Sequence, residues 1–133
     1  KSPSELTEAF RATGLKVTPQ RQLLFRLMHG NTMHPTAESL FSEASAQMPG
    51  ISLRTVYQTL TELTEMGEIQ MVEVGTGSHR FDPNVTGHHH AVCDQCGAVQ
   101  DVYVKRTPEP SAPHGFAVND AHIVYRGQCA DCS

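Results

Sequence analysis

Ser52-Leu53-Arg54-Thr55-Val56-Tyr57-Gln58-Thr59-Leu60 opens on a hydroxyl that can cap a helix and carries apolar side chains at 56 and 60, joined further on by Leu63. That spacing turns Val56, Leu60 and Leu63 inward along a helix that Met66-Gly67 closes. The period then changes. Ile69, Met71, Val72 and Val74 lead into Gly75-Thr76-Gly77, and His79 to Asp82 come back, which predicts a hairpin by its glycine-rich turn.

Upstream of residue 52 the helical period recurs three times. Glu5, Leu6, Ala9 and Phe10 follow Ser4, a possible cap, and Gly14 ends the run. Thr18-Pro19 reads as a cap followed by proline at the first helical position, and Leu23, Leu24, Leu27 and Met28 supply an apolar stripe up to Gly30. Thr36 and Ser39 open a third helix with Leu40, Phe41 and Ala44, which Pro49-Gly50 stops. Helices followed by a two-stranded ribbon form the winged helix-turn-helix pattern, in which residues 52–60 would be the helix laid in a DNA major groove.

The 133 residues are 38% apolar, contain no Trp and carry a formal charge of −4. No apolar stretch approaches a membrane span, and no secretion signal is recognised, so a soluble, cytoplasmic protein without membrane partners is expected. A negative chain has no general attraction for nucleic acid, so DNA binding must come from a local basic face. Composition divides the chain into 1–82, a linker at 83–87 and a second domain at 88–133. Two such small lobes are each marginal, so metal and oligomerisation are expected to add stability.

The second domain reads as strands. One runs through His88 to Val92 and one through Ala98 to Val104, with further β signal at Phe116 to Val118 and Ala121 to Tyr125. Lys105 to Pro113 holds three prolines and cannot be a long helix. All four cysteines stand in two pairs, Cys93-Asp94-Gln95-Cys96 and Cys129-Ala130-Asp131-Cys132. Thiolates at i and i+3 on a tight knuckle reach one ion together, and two knuckles complete the four-cysteine shell that structural zinc prefers. Dithiol redox chemistry and disulfides are the competing readings, although each pair is too short to staple much.

His88-His89-His90 precedes the first knuckle. On a strand, i and i+2 share a face, so His88 and His90 can chelate one ion while His89 points away. Asp101 falls on the neighbouring strand, Asp82 ends the wing, and His34 lies ahead of the third helix. Three imidazoles and two carboxylates suit Fe(II), Mn(II) or Zn(II), though spacing alone does not establish joint ligation.

Met33-His34-Pro35-Thr36-Ala37, Ser52-x-x-Thr55-Val56-Tyr57, Arg80-Phe81-Asp82, His88-x-His90-x-x-Cys93-x-x-Cys96-Gly97 and Cys129-x-x-Cys132 resemble, in this order, the ferric uptake regulator (Fur) family. The resemblance implies an α+β protein: an N-terminal winged helix-turn-helix DNA-binding domain and a small C-terminal α/β dimerisation domain with a four-cysteine zinc site. It puts structural zinc on Cys93, Cys96, Cys129 and Cys132, and a regulatory Fe2+ or Mn2+, with Zn2+ possible in vitro, on His34, Asp82, His88, His90 and Asp101. Aspartate at both 82 and 101, where iron-uptake regulators usually carry Glu, is similar to the peroxide-sensing (PerR-like) branch. The proline-rich 105–113 segment and the Val-Tyr-Arg-Gly-Gln-Cys ending resemble the actinobacterial catalase-associated (FurA/CatR-like) regulators. The implied function is a metal-dependent repressor of oxidative-stress genes, with His34 and His88 as oxidation targets.

The expected partners are a second copy of the chain and double-stranded DNA bearing an AT-rich inverted repeat. Tyr57 can contact thymine methyls, Arg54 and Gln58 bases or phosphates, and Lys16 a narrow minor groove. Tyr57 could instead be partial core, and Arg54 and Lys16 simply solvated. Gln58 departs from the Arg common at its position in the family. His89, Glu109 and His122, with His114 nearby, form a weaker candidate for a third metal site, since Gly87 stands where relatives often carry a ligand His. The alternatives are an iron-uptake or other divalent-metal repressor without peroxide chemistry, a metal-activated enzyme, and a zinc-ribbon interaction module. No separate acid/base candidate supports the enzyme, and the module leaves His34 and Asp82 without a task.

Overall fold

The computed structural model describes residues 1–111 and 114–133. The chain divides into two compact units, Lys1–Val85 and Thr86–Ser133.

In the first unit four helices precede a two-stranded ribbon: α1 (Pro3–Ala12), α2 (Pro19–Met28), α3 (Ala37–Gln47), α4 (Leu53–Glu65), β1 (Gln70–Val72) and β2 (Arg80–Asp82). Each helix starts on a hydroxyl that accepts a backbone N–H from the first turn, satisfying a donor that would otherwise be orphaned. Thr18, Thr36 and Ser52 cap α2, α3 and α4 as the sequence suggests. For α1 the cap is Ser2 rather than Ser4. Pro3 takes the first helical position, and Ser2 and Glu5 form a reciprocal capping box.

The helices bury Leu6, Phe10, Leu23, Leu24, Phe25, Met28, Leu40, Val56, Leu60 and Leu63 against one another, with Ile69 and Phe81 closing the core from the ribbon. Phe10 and Phe25 meet edge to face at 4.8 Å between centroids. Arg21 lies over the Phe10 ring at 5.3 Å and pairs with Glu62 of α4 at 3.0 Å, which ties α2 to the candidate recognition helix. In the ribbon Met71 pairs with Phe81 and Val72 with Arg80, antiparallel. Val72 and Val74 are buried and Met71 is half exposed, as alternation requires. Ile69 breaks the alternation because it lies ahead of the strand and packs on the helices.

The second unit is a three-stranded sheet of order β4-β3-β5, with β3 (His89–Cys93) at its centre, β4 (Val99–Val102) antiparallel to it and β5 (Val124–Gly127) parallel. Among the described residues this unit is built of strands alone. A parallel neighbour needs a long crossover, and the chain between Val102 and Val124 supplies it without a helix among the described residues. Pro108 and Pro110 remove donors there, and Pro113 lies outside the described residues.

Two strand expectations need correction. Phe116 to Val118 form no strand, and Phe116 is 65% exposed; β propensity there finds no ladder to join. The last strand is Val124–Gly127 rather than Ala121 to Tyr125, because β3 imposes its register, pairing His90 with Val124 and Cys93 with Gly127. Among the described residues, no helix is long and apolar enough to cross a membrane.

Candidate metal centres and nucleic-acid face

The β3–β5 register builds the cysteine cluster. Cys93 ends β3 opposite Gly127, so the knuckle starting at Cys129 follows directly alongside the first one. Gly97, at φ 76°, turns the chain back and donates its N–H to the Cys93 carbonyl at 2.9 Å. The four sulfurs lie within 4.8 Å of one another, with Cys96 and Cys129 3.7 Å apart. Zn–S bonds of about 2.3 Å in a tetrahedron put sulfurs about 3.8 Å apart. All four cysteines are free, so this geometry belongs to a thiolate cage and not to a pair of disulfides. Backbone N–H groups of Cys96 and then Cys129 hold the Cys93 thiol down to about 6, while the surrounding thiols, Cys129 first, push Cys132 up to about 12. Sulfurs this crowded oppose one another's ionisation unless a cation sits among them. The donor set fits structural zinc.

Each unit also carries its own group of candidate metal donors. In the first, His34 Nε2 lies 3.2 Å from Asp82 Oδ2. The other Asp82 oxygen accepts the Asn84 N–H at 2.9 Å, which fixes the carboxylate plane. His34 has φ 51°, the only non-glycine with positive φ among the described residues. Its carbonyl accepts Arg80 Nη1 at 3.2 Å, and the next carbonyl, Pro35, accepts the Phe81 N–H at 2.9 Å.

In the second unit, His88 and His90 share a face as expected, with ring centroids 4.6 Å apart. Their Nε2 atoms lie 3.0 and 3.5 Å from the same Asp101 oxygen, on β4 opposite His90. His88 Nδ1 is 2.6 Å from the Thr86 carbonyl, which can only accept, so that nitrogen carries the proton and Nε2 presents its lone pair beside Asp101. Such an outer hydrogen bond selects the tautomer a metal needs. His90 Nδ1 lies 2.8 Å from His122 Nε2, a ring nitrogen that donates or accepts according to its tautomer.

The third candidate set is not assembled. His89 accepts the Ile123 N–H on Nδ1 at 2.9 Å and stacks on His122 at 6.3 Å, so both rings are engaged in holding the β3–β5 edge. Glu109 and His114 are exposed, and among the described residues no cluster of three or more metal-ligating side chains includes His89, Glu109 or His122. Desolvation, and then the nearby His89, holds the His122 imidazole below its ordinary value.

On α4, Val56, Leu60 and Leu63 face the core, and Arg54, Tyr57 and Gln58 lie outside it, as does Lys16 ahead of α2. Tyr57 is 44% exposed and therefore not core. Its hydroxyl donates to the carboxylate of Glu38 on α3, which holds Glu38 below the usual carboxylate range. Glu38 and the His122 contact to His90 carry no periodic signal in the sequence, because each is a long-range hydrogen bond; Arg80 stands in a quoted motif, but its bond to His34 leaves no such signal.

A model of the ferric uptake regulator family matches residues 12–126. The peroxide operon regulator of Bacillus subtilis (strain 168) is 32% identical over 133 residues, covering 97% of this chain and 92% of that protein. The peroxide-responsive repressor PerR of Staphylococcus aureus (strain Mu50) is 32% identical over 132 residues, covering 96% and 89%. Among solved structures, the Vibrio cholerae ferric uptake regulator superposes with a TM-score of 0.72 at 26% identity, covering 92% of this chain and 98% of that one. With the family model running through the winged-helix unit and on into the zinc sheet, the chain belongs to the ferric uptake regulator family.

Proposed function

We propose that this protein is a cytoplasmic, homodimeric, metal-dependent transcriptional repressor that responds to peroxide. The observation that carries the reading is the division of donors: two in the first unit, His34 and Asp82, and three in the second, His88, His90 and Asp101. Two donors bind an ion weakly and three leave it open, so one ion served by both sets would be held best and would fix the angle between the units. That selects the conformation of the dimer able to meet both half-sites of an AT-rich inverted repeat. Arg54, Tyr57 and Gln58 on the outer face of α4, with Lys16, are the residues offered to the DNA. The aspartates at 82 and 101, and the relatives named as peroxide regulators, favour peroxide as the signal over iron supply alone.

Ferrous iron bound by these five donors would supply the electrons that activate peroxide, whereas Mn(II) would support repression without that chemistry. His34 and His88 are the imidazoles proposed to be consumed. One peroxide oxygen enters the ring to give 2-oxo-histidine, and the other leaves as water. Loss of an imidazole donor then releases the constraint on the units and with it the DNA.

The test is peptide mass spectrometry of Fe(II)-loaded protein after brief low-dose peroxide, beside a Mn(II)-loaded control, with operator binding measured on both. One added oxygen at His34 or His88 in the iron form alone, with DNA binding lost, is the expected result. Reversible metal-dependent DNA binding without that modification would replace peroxide sensing with simple metal sensing. Absence of metal-dependent DNA binding would remove the repressor reading.

A further inference from the structure

His34 adopts a backbone conformation that its own sequence resists. At φ 51° it is in the left-handed region, where a side chain with a Cβ is disfavoured, and it directly precedes Pro35, which restricts it again. Such an outlier persists only where the surroundings hold it. Three consecutive residues of β2 do so. Arg80 Nη1 donates to the His34 carbonyl at 3.2 Å, the Phe81 N–H donates to the Pro35 carbonyl at 2.9 Å, and Asp82 Oδ2 faces His34 Nε2 at 3.2 Å. The strand is anchored in turn by its pairing to β1, where Arg80 stands opposite Val72.

We propose that Arg80 is a positioning residue for the regulatory ion: it holds the His34 backbone in the left-handed conformation that aims the imidazole at Asp82, so that this pair of donors is preformed before metal arrives. The inference rests on the reading of His34 and Asp82 as metal donors given above. Arg80 acts through its guanidinium on the carbonyl of the ligand residue, not on the ion. A backbone left to relax toward negative φ would swing the His34 ring away from Asp82, and the ion would have to supply that reorganisation on binding.

The experiment measures Mn(II) binding to the full, zinc-loaded chain by the electron paramagnetic resonance signal of the free aqua ion. Wild type is compared with Arg80→Gln, Arg80→Lys, His34→Ala and the Arg80→Gln/His34→Ala double variant. Arg80→Gln is expected to weaken Mn(II) binding about 10-fold, as loss of an outer hydrogen-bond partner does elsewhere. Arg80→Lys, which keeps a cation with a single donor nitrogen, should recover part of it. The distinguishing readout is non-additivity: with His34 already removed, Arg80→Gln should cost nothing further, because the residue it acts through is gone. Unchanged affinity in Arg80→Gln, or an equal loss in both backgrounds, would overturn the role. If His34→Ala itself leaves Mn(II) affinity unchanged, the metal-site reading fails instead. Zinc content and metal-free unfolding are followed throughout, so that a folding defect in Arg80→Gln is recognised and Arg80→Lys then carries the comparison.

Discussion

Replacing Cys96 by Ser should unfold the second unit while leaving the first intact. The unit Thr86–Ser133 is of a size, roughly 50 residues, at which an apolar core alone seldom suffices. Among the described residues its buried apolar side chains are Val92, Val99 and the ligand Cys93, against fifteen in the core of the first unit. Val92 and Val99 together contribute about 3–6 kcal/mol, whereas a structural zinc contributes about 10–16 kcal/mol at neutral pH. The metal therefore outweighs the apolar core, and a serine, which is a poor zinc ligand, removes most of its contribution. In an NMR amide spectrum the peaks of residues 86–133 should collapse to unfolded positions, those of the four helices should stay, and zinc content should fall from one per chain towards none. Retention of full zinc content with unchanged sheet resonances would refute the reasoning, since it would mean that the cage is not what holds the sheet.

Other consequences can be measured separately. Ser52→Ala removes the cap of the candidate recognition helix, whose hydroxyl accepts the Thr55 N–H at 3.1 Å, and should cost about 1 kcal/mol, read as a lower midpoint for the first unit in thermal unfolding. Tyr57→Phe keeps the ring but deletes the donor to Glu38; the Glu38 carboxyl, now held low first by that hydroxyl, should titrate higher by NMR, and operator affinity should fall if Tyr57 is positioned for DNA by it. Held down to about 6 in the folded knuckle, the Cys93 thiolate favours that knuckle fully above its ordinary value of 9.0, and the contribution is lost as pH falls through about 6. Because the unit folds with its metal, apparent zinc affinity should fall as pH is lowered from about 9 towards 6, measurable by competition with a chromophoric chelator.

Most of the first unit is legible in the sequence because its signals are local. Caps at Thr18, Thr36 and Ser52, the stripes they precede and the glycine turn at 75–77 depend only on near neighbours along the chain. The misplaced cap at Ser4 is also a local matter: Ser2-Pro3-Ser4-Glu5 contains a capping box two residues earlier, with proline placed where helices tolerate it. The second unit is harder because its β5 register is set by a parallel partner more than thirty residues away, and β propensity at Phe116 and Val118 competes with nothing that would reveal it as loop. The four-cysteine cluster is readable from residue type and spacing, whereas the His and Asp donors are suggested as one set only by the family resemblance. The partners of these residues and of Tyr57 are not readable, since Arg80, His122 and Glu38 reach them by hydrogen bonds to residues 46, 32 and 19 positions away.

The supports differ in kind between the two ligand sets, and that difference bears on how a sensor of this family could be both stable and responsive. His88 and His90 lean on a sheet whose edges are tied by Thr86 and His122, and that sheet ends in the cysteine cage. A closed thiolate site of this type exchanges metal reluctantly, so the three donors of the second unit rest on a permanent platform. His34 and Asp82 rest instead on a loop in a resisted conformation and on a three-residue strand of the wing, the same ribbon that completes the DNA-binding fold. Strain of this kind persists only while its surroundings hold it, here through β2, so the two donors and the ribbon are coupled. With the pair preformed, modification of His34 itself, rather than arrival or departure of the ion, should on the proposed reading be what disturbs the His34 loop and the wing, while the zinc-bearing sheet is left undisturbed. On the proposed reading, one metal would hold the protein together and the other would report the signal.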